Sequence, residues 1–293
     1  MNDAVRADLA DHAGRFTDNR ANWDDRAALH EASGYGIDEL LASPTAITAE
    51  IAPDRERLGD LNGLDVVHLQ CHLGLDTVSL ARMGARRVVG LDLSGESLRR
   101  ARSIAERAGV DIDFVQANVY DARQALTGDF DLVYTSLGVL CWLPDVAAWA
   151  RVVASLLRPG DRLVLRDDHP VLQAVGDDTT HGLTLHEPYF QRTEPMTWED
   201  EGSYVAAADG SPAITHTVSH QWNHGVGEIL TALLEVGLVI DEVTETRFSA
   251  WCRWPELMER GAEGYRFSDA ALRDRLPLQL AVVAHLPEQT GGQ

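Results

Sequence analysis

Short apolar segments alternate with amphipathic segments between residues 64 and 168. The amphipathic segments predict helices at residues 77–83, 96–108 and 146–157, and Ser94 is a suitable N-cap for the second of them. The apolar segments have the length of buried strands, at residues 66–69, 88–92, 112–116, 131–136 and 162–166. Continuous apolar strands that alternate with helices indicate a parallel sheet covered on both faces.

This alternation is interrupted on both sides. Residues 3–41 are polar with a helical pattern, and residues 169–225 are rich in Asp, Thr, His, Pro and Gly. A structureless loop of that length is uncommon in a compact domain, so we expect an insertion with short strands of its own, such as residues 202–207. A helix at residues 226–236 and segments at 239–248 and 278–285 then resume the core. We therefore expect a helical cap, a ligand-binding core, an insertion lining the substrate pocket and a C-terminal part of the core sheet: residues 1–55, 56–168, 169–225 and 226–293.

The junction of the first strand and first helix carries the strongest chemical signal. Residues 66–76 read as an apolar strand, a tight turn and the start of a helix, and Asp92 ends the next strand eighteen residues after Gly74. Backbone N–H groups at such a turn can hold polar ligand groups, and an acid at the next strand tip can accept hydrogen bonds from ribose hydroxyls. The pattern predicts a ligand that contains a nucleoside. Of the three glycines that let backbone approach a pyrophosphate, only Gly74 is present, which argues against a dinucleotide.

These residues resemble the first motif of the class I S-adenosylmethionine (SAM) dependent methyltransferases. That motif is similar to V-L-D-L-G-C-G-T-G and aligns with residues 66–74, and one branch of the family carries L-Q-C-H-x-G-L-D-T, as residues 69–77 do. The resemblance covers most of residues 64–286. It implies SAM as the cofactor and an α/β, Rossmann-like, doubly wound sheet of about seven strands, mostly parallel, with the last strand antiparallel beside the sixth.

The resemblance also implies which residues contact the cofactor. Gln70 and His72 stand where the family has glycine, and His68 stands where it often has an acid. The side chains of Gln70 and His72 either contact the methionine end of SAM or satisfy neighbouring backbone groups. His68 is interpreted as a packed histidine, and Asn118 resembles the residue that holds the adenine amine. The expected cofactor-binding residues are Leu69, Gln70, Cys71, His72, Gly74, Asp92, Leu93, Asn118, Val119, Tyr120, Ser136 and Leu137.

Histidines are the candidates for catalysis. Positioning and exclusion of water can accelerate methyl transfer from a sulfonium, but an acceptor oxygen or carbon acid would also benefit from a general base with a pKa near neutral. His216, His220 and His224 recur every four residues and would share one face of a helix or strand. They either line the acceptor pocket, hold a metal or form structural hydrogen bonds. His169 follows the fifth strand, and we expect His169, His220 and His224 to be the catalytic residues.

Composition disfavours several sites and partners. Asp167, Asp168 and His169 could bind a metal in principle, but a polar strand end is the simpler interpretation, and we expect no metal. The three cysteines are widely spaced and suggest neither a disulfide framework nor a zinc site. A net charge of −21, with no lysine, argues against a nucleic-acid partner. With no apolar run of membrane-spanning length and no secretory leader, we expect a cytoplasmic protein without a membrane partner, and a homodimer is compatible with the sequence.

We expect the chain to transfer a methyl group from SAM to a small-molecule acceptor in specialised metabolism. Three alternatives stay open. The same pocket could direct attack on another sulfonium carbon, giving cyclisation or aminocarboxypropyl transfer. The chain could instead bind SAM without catalysis, or use a nicotinamide cofactor as an oxidoreductase.

Overall fold

A computed structural model of the protein describes residues 9–205 and 210–288. The strands in chain order are β1 (Asp65–Leu69), β2 (Arg87–Asp92), β3 (Asp113–Gln116), β4 (Phe130–Ser136), β5 (Leu157–Asp168), β6 (Met196–Glu199), β7 (Val218–Gln221), β8 (Val239–Thr246), β9 (Met258–Arg260), β10 (Tyr265–Phe267) and β11 (Gln279–His285). The helices are α1 (Ala13–Ala32), α2 (Ile37–Leu41), α3 (Arg55–Leu58), α4 (Leu75–Arg82), α5 (Gly95–Ala108), α6 (Ala122–Ala125), α7 (Val146–Leu156), α8 (Pro170–Ala174), α9 (Val226–Glu235) and α10 (Ala270–Arg273).

The main sheet of the described residues has seven strands in the order β3-β2-β1-β4-β5-β11-β8. The strands from β3 to β5 pair in parallel, and β11 is antiparallel to both of its neighbours, β5 and β8. The predicted fold class is therefore confirmed, including the antiparallel last strand. The strand order reverses between β1 and β4, and in doubly wound sheets ligands bind outside the carboxyl ends of the strands at such a point.

Burial explains why the strands read as continuous apolar runs. All five residues of β1 are buried, because helices cover both faces of the sheet. Ser94 is the N-cap of α5, as predicted, and its side chain accepts a hydrogen bond from the amide of Ser97. Strand β5 is longer than predicted, since it also includes Pro159 and Gly160.

The N-terminal segment is not one helix. It divides into α1 and α2, and residues 1–8 lie outside the described part of the chain. Gly34, Tyr35 and Gly36 separate the two helices and have positive φ angles of 86°, 36° and 74°, which cannot continue a right-handed helix. Helix α1 packs against α5 and β7, and so joins the core to the insertion.

The insertion contains an antiparallel pair of strands, β6 and β7. Its strands were predicted at residues 202–207, but residues 202–205 have no strand, and residues 206 and 207 are outside the described range. None of the helices in the described ranges combines the length and apolar composition that a membrane span requires.

Candidate functional site

In the loop from β1 to α4, two residues that are not glycine adopt a backbone conformation typical of glycine. Gln70 and His72 have φ angles of 57° and 49°, in the left-handed region that glycine adopts most readily. That conformation costs a non-glycine residue roughly 1–2 kcal/mol. Such strain persists only where surrounding contacts impose it, and it is concentrated at functional sites. The loop therefore places two side chains, Gln70 and His72, at positions whose backbone conformation glycine adopts more easily.

The side chains of Gln70 and His72 have different environments. Gln70 Nε2 donates to the carbonyl of Val139 at 2.9 Å, whereas Gln70 Oε1 is buried without a hydrogen-bond partner among the described residues. The ring nitrogens of His72 lie 2.9 Å from His30 Nδ1 and 3.1 Å from Ser97 Oγ. Burial lowers the pKa of His72 well below its usual value, so the ring is neutral. An unsatisfied acceptor thus remains on Gln70, while His72 binds the N-terminal cap.

Asp92 ties the second strand to this loop. One carboxylate oxygen accepts a hydrogen bond from the amide of His72 at 2.8 Å, and the other accepts one from the amide of Ser94 at 2.8 Å. A carboxylate can accept about four hydrogen bonds, so lone pairs remain for a ligand. Burial raises the pKa of Asp92 to about 6. Asp24 of α1 accepts from Ser94 Oγ at 2.6 Å, which brings the cap against the same strand end.

The expected adenine region follows β3. Asn118 caps the turn Val119–Asp121, because its side-chain oxygen accepts a hydrogen bond from the amide of Tyr120 at 3.1 Å. The Tyr120 hydroxyl donates to the carbonyl of Asp145 at 3.0 Å, so this side chain supports α7. Val119 is buried in the core.

The other expected cofactor residues include several with buried side chains. Leu69 and Cys71 face the core, and the Cys71 amide extends the pairing of β1 with β2 by donating to Leu91. Gly74 has a φ of 71°, and an added Cβ would lie 2.9 Å from the Phe114 ring, so glycine is required for both conformation and packing. Leu93 follows β2 and is partly exposed. These residues can offer backbone groups or shape to a ligand.

The loop after β4 is held by a residue that sequence reasoning did not assign to the site. The buried carboxylate of Asp167 accepts hydrogen bonds from the amides of Gly138, Val139 and Leu140, with the Leu140 contact at 2.9 Å. Leu137, in the same loop, has a φ of 38°. The sequence offered Asp167 and Asp168, at the end of β5, only as weak candidates for metal ligands. The amides that bind Asp167 lie about one strand and one helix earlier in the chain, and a local sequence pattern cannot reveal a contact over that distance.

Aromatic rings from the cap and the insertion cover this edge of the sheet. The Trp23 ring lies 5.0 Å from the His72 ring and 5.2 Å from the Trp142 ring, between centroids. The hydroxyls of Tyr35 and Tyr204 are 2.7 Å apart. The cap and the insertion therefore meet over the loop from β1 to α4, in positions where they can shield a bound ligand from water.

The structure places the three candidate catalytic histidines at separate positions. His169 caps α8 through Nδ1, which accepts from the amide of Val171, and its Nε2 lies 2.8 Å from Glu245. Burial lowers the pKa of His169 below its usual value. The ring nitrogens of His220 lie 3.0 Å from Thr197 Oγ1 and 3.1 Å from Asp18.

His224 contacts the loop after β4. Its Nε2 lies 2.7 Å from the carbonyl of Leu143, and its Nδ1 lies 3.0 Å from Gln191 Oε1. Burial lowers the pKa of His224 as well. His216 is more exposed and lies 3.1 Å from Asp25. Each ring is thus engaged in structural hydrogen bonds, and a catalytic role for these histidines stays a prediction.

The region around this edge is similar to a known protein family. Residues 66–160 match the family model described as a methyltransferase domain. The matched residues run from β1 into β5 and include the loops after β1, β2, β3 and β4. This part of the chain is therefore similar to the class of protein that the sequence predicted.

Curated relatives match over much the same region. The chain is 38% identical over 106 residues to a ubiquinone biosynthesis O-methyltransferase of Xanthomonas euvesicatoria pv. vesicatoria, an alignment that covers 36% of this chain and 44% of that protein. A protein of the same name from Escherichia coli O127:H6 is 36% identical over 105 residues, which cover 36% of this chain and 43% of the relative. The chain thus spans less than half the length of these relatives.

Solved structures match a larger part of the chain. A SAM-dependent methyltransferase from Mesorhizobium loti has a TM-score of 0.55 and 28% identity, over 81% of this chain and 98% of that one. A structure from Listeria monocytogenes described as a SAM-dependent methyltransferase has a TM-score of 0.56 and 20% identity, over 82% of this chain and 99% of that one. The latter similarity concerns the fold alone.

Proposed function

We propose that the protein is a SAM-dependent methyltransferase that acts on a small molecule in specialised metabolism. The observation that carries this proposal is the convergence of the loop from β1 to α4, Asp92 and Asn118 at one edge of the sheet, inside the matched methyltransferase domain. The named activities of the curated relatives and of the Mesorhizobium loti structure support it.

The residues at this edge suit the groups that SAM would present. Ribose hydroxyls, the adenine amine and the α-ammonium are hydrogen-bond donors. Asp92 and Asn118 offer acceptor oxygens, and the buried Gln70 Oε1 lacks a donor among the described residues. A buried acceptor without a partner costs about 1–3 kcal/mol, which a bound donor would recover. We therefore assign the ribose to Asp92, the adenine to Asn118 and the methionine end to the side of Gln70.

The chain's own contribution to catalysis would be positioning and shielding. When bound, SAM supplies a methyl group that is already activated by the sulfonium. The rigid loops after β1 and β4 orient the reacting groups, because left-handed residues and the Asp167 hydrogen bonds hold their backbones. Trp23, Trp142 and Tyr204 restrict the access of water. His224, beside the loop after β4, is the histidine that we propose to test first as a general base.

An isotope experiment separates this function from its alternatives. SAM labelled separately on the methyl carbon and on the aminobutyrate carbons is incubated with the protein and a size-fractionated extract of its source cells. Methyl label in a small-molecule fraction, with the aminobutyrate label retained on S-adenosylhomocysteine, supports the proposal. Aminobutyrate label on an acceptor, with the methyl label left on 5′-methylthioadenosine, points to aminocarboxypropyl transfer. Aminobutyrate label in a free cyclic product, formed without any extract and again with methyl-labelled 5′-methylthioadenosine, points to cyclisation.

Two further outcomes address the other classes. Binding of SAM with no label transferred to any fraction favours a non-catalytic SAM-binding protein. Quenching of tryptophan fluorescence by NADH, but not by SAM, would favour an oxidoreductase. Four further points stay proposals from the sequence. They are the absence of nucleic-acid and membrane partners, the cytoplasmic location, the homodimer, and the role of residues 169–225 as the acceptor pocket.

A further inference from the structure

Asp76 is a carboxylate at the candidate cofactor edge that the sequence motif did not assign. It lies in the first turn of α4, two residues after Gly74. Ser136 Oγ, at the end of β4, donates to one of its oxygens at 3.2 Å, and Thr48 Oγ1 donates to the other. Asp76 is therefore where the loop after β1, the tip of β4 and the N-terminal cap meet.

The charge of Asp76 has no direct counter-ion in the described part of the chain. Among the described residues, no Arg or His nitrogen forms an ion pair with it. Arg166 contributes a favourable field, but its Nε is paired with Asp54 at 2.8 Å, and Glu50 acts in the opposite direction. Burial raises the pKa of Asp76 to about 6, so most of it is ionised at neutral pH. An ionised carboxylate that is largely shielded from water and has no paired cation is unfavourable, and it is a suitable receptor for one.

Asp76 retains the capacity to bind a cationic donor. A carboxylate accepts about four hydrogen bonds, and Ser136 and Thr48 use two of these positions. Both neighbours are neutral hydroxyls, which fix the orientation of the carboxylate without cancelling its charge. The side chain is also partly exposed, so that a ligand at the strand edge can reach it.

The position where the related family often has an acid is neutral in this chain. His68 Nδ1 lies 2.9 Å from Thr77 Oγ1, and burial lowers the pKa of His68 to about 3. His68 Nε2 lies 3.4 Å from Ser136 Oγ, the same hydroxyl that donates to Asp76. The negative charge beside the end of β1 is thus supplied eight residues later, from the helix.

We propose that Asp76 binds the α-ammonium of SAM, with Thr48 of the cap and Ser136 of β4 orienting its carboxylate. This inference rests on the proposed function, because it assumes SAM at this edge. It gives the cap a direct part in cofactor binding: Thr48 joins the cap to the residue that holds the charged end of the ligand. The rival explanation is that Asp76 serves only to attach the cap to α4.

Calorimetric titration with paired ligands distinguishes the two explanations. The ligands are S-adenosylhomocysteine, its deamino analogue, in which hydrogen replaces the α-amino group, and 5′-methylthioadenosine, which lacks the amino-acid part. A charge-assisted hydrogen bond to the ammonium should make the wild type prefer S-adenosylhomocysteine over the deamino analogue by about tenfold or more. In Asp76→Asn this preference should fall to within about threefold. Asp111→Asn, an exposed carboxylate before β3, is the matched control and should keep the preference of the wild type.

Each outcome decides between the explanations. The preference is a ratio measured within one variant, so a general loss of stability in Asp76→Asn does not create the expected result. Two results would overturn the role of Asp76. One is a preference for S-adenosylhomocysteine over the deamino analogue that persists in Asp76→Asn. The other is the absence of this preference from the wild type, which can be measured without any variant. Failure of the wild type to bind S-adenosylhomocysteine and 5′-methylthioadenosine would reject the proposed function itself.

Discussion

Replacing Asp54 with Asn should destabilise the protein strongly, because it removes the counter-ion of a buried guanidinium. Asp54 is fully buried and Arg166 is 1% exposed, and their ion pair is 2.8 Å long. The other partners of this guanidinium are neutral: Gln279 Oε1 and the backbone carbonyl of Glu50. The substitution preserves size and one acceptor oxygen, so that its main effect is the loss of the negative charge.

The magnitude follows from the burial of the pair. Removing one partner of a buried ion pair costs about 3–5 kcal/mol, since the remaining charge stays away from water without compensation. For a chain of this size each kcal/mol lowers Tm by about 2–4 °C, so Asp54→Asn should lower Tm by roughly 10 °C. The loss should also loosen the cap from the sheet, because Asp54 belongs to the segment before α3 and Arg166 to β5.

Urea unfolding followed by circular dichroism, together with calorimetry, would measure this loss. Asp129→Asn is the matched control: Asp129 pairs with Arg123 at 2.9 Å, but its side chain is 56% exposed. An exposed pair contributes about 0–1 kcal/mol, so the control should unfold almost as the wild type does. If the two variants lose the same free energy of unfolding, the argument that the Arg166 charge is isolated from water is wrong.

Three further results are expected. Asp92→Ala should weaken SAM binding in a calorimetric titration by at least about tenfold, because the ribose acceptor is lost, and an unchanged affinity would show that the site is misplaced. Burial raises the pKa of Asp76 and of Asp92 from 3.8 to about 6, so the stability that each contributes is full below pH 3.8 and is lost as the pH rises through about 6. Asp92→Asn should therefore flatten the fall in the free energy of unfolding over this range of pH. A slope identical to that of the wild type would contradict this reasoning. His224→Asn should lower Tm, because the hydrogen bond to the Leu143 carbonyl is lost; a lower rate of label transfer with unchanged Tm would instead assign catalysis to His224.

Part of the candidate site is defined by local sequence pattern. The strand, turn and helix around Gly74, and the polar residues Asp92 and Asn118 at the ends of the next two strands, are each defined within a few residues of chain. The structure places all three at one edge of the sheet and adds that Asn118 caps the turn after β3. The departures at Gln70 and His72 were visible as well. Their left-handed backbone is what a turn of this shape requires, whatever side chain occupies it.

The remainder of the site depends on contacts between distant segments. Asp76 binds Thr48 from 28 residues earlier and Ser136 from 60 residues later, and neither pairing leaves a periodic signal in the sequence. Asp167 likewise orders a loop that precedes it by almost thirty residues. The insertion strands were misplaced for a related reason, since short strands are stabilised by their partners more than by their own composition.

The sequence by itself determined the architecture of this protein, because alternating apolar and amphipathic segments can bury their apolar surfaces only as a parallel sheet between helices. It also determined which strand ends carry polar groups. Only the tertiary structure decided how those groups are used. It engaged the candidate histidines in hydrogen bonds and brought the cap to the strand edge. Among residues 9–205 and 210–288 it also left Gln70 Oε1 without a hydrogen-bond donor and Asp76 without an ion-pair partner. These outcomes depend on burial and on distances between segments far apart in the chain, which no local pattern encodes.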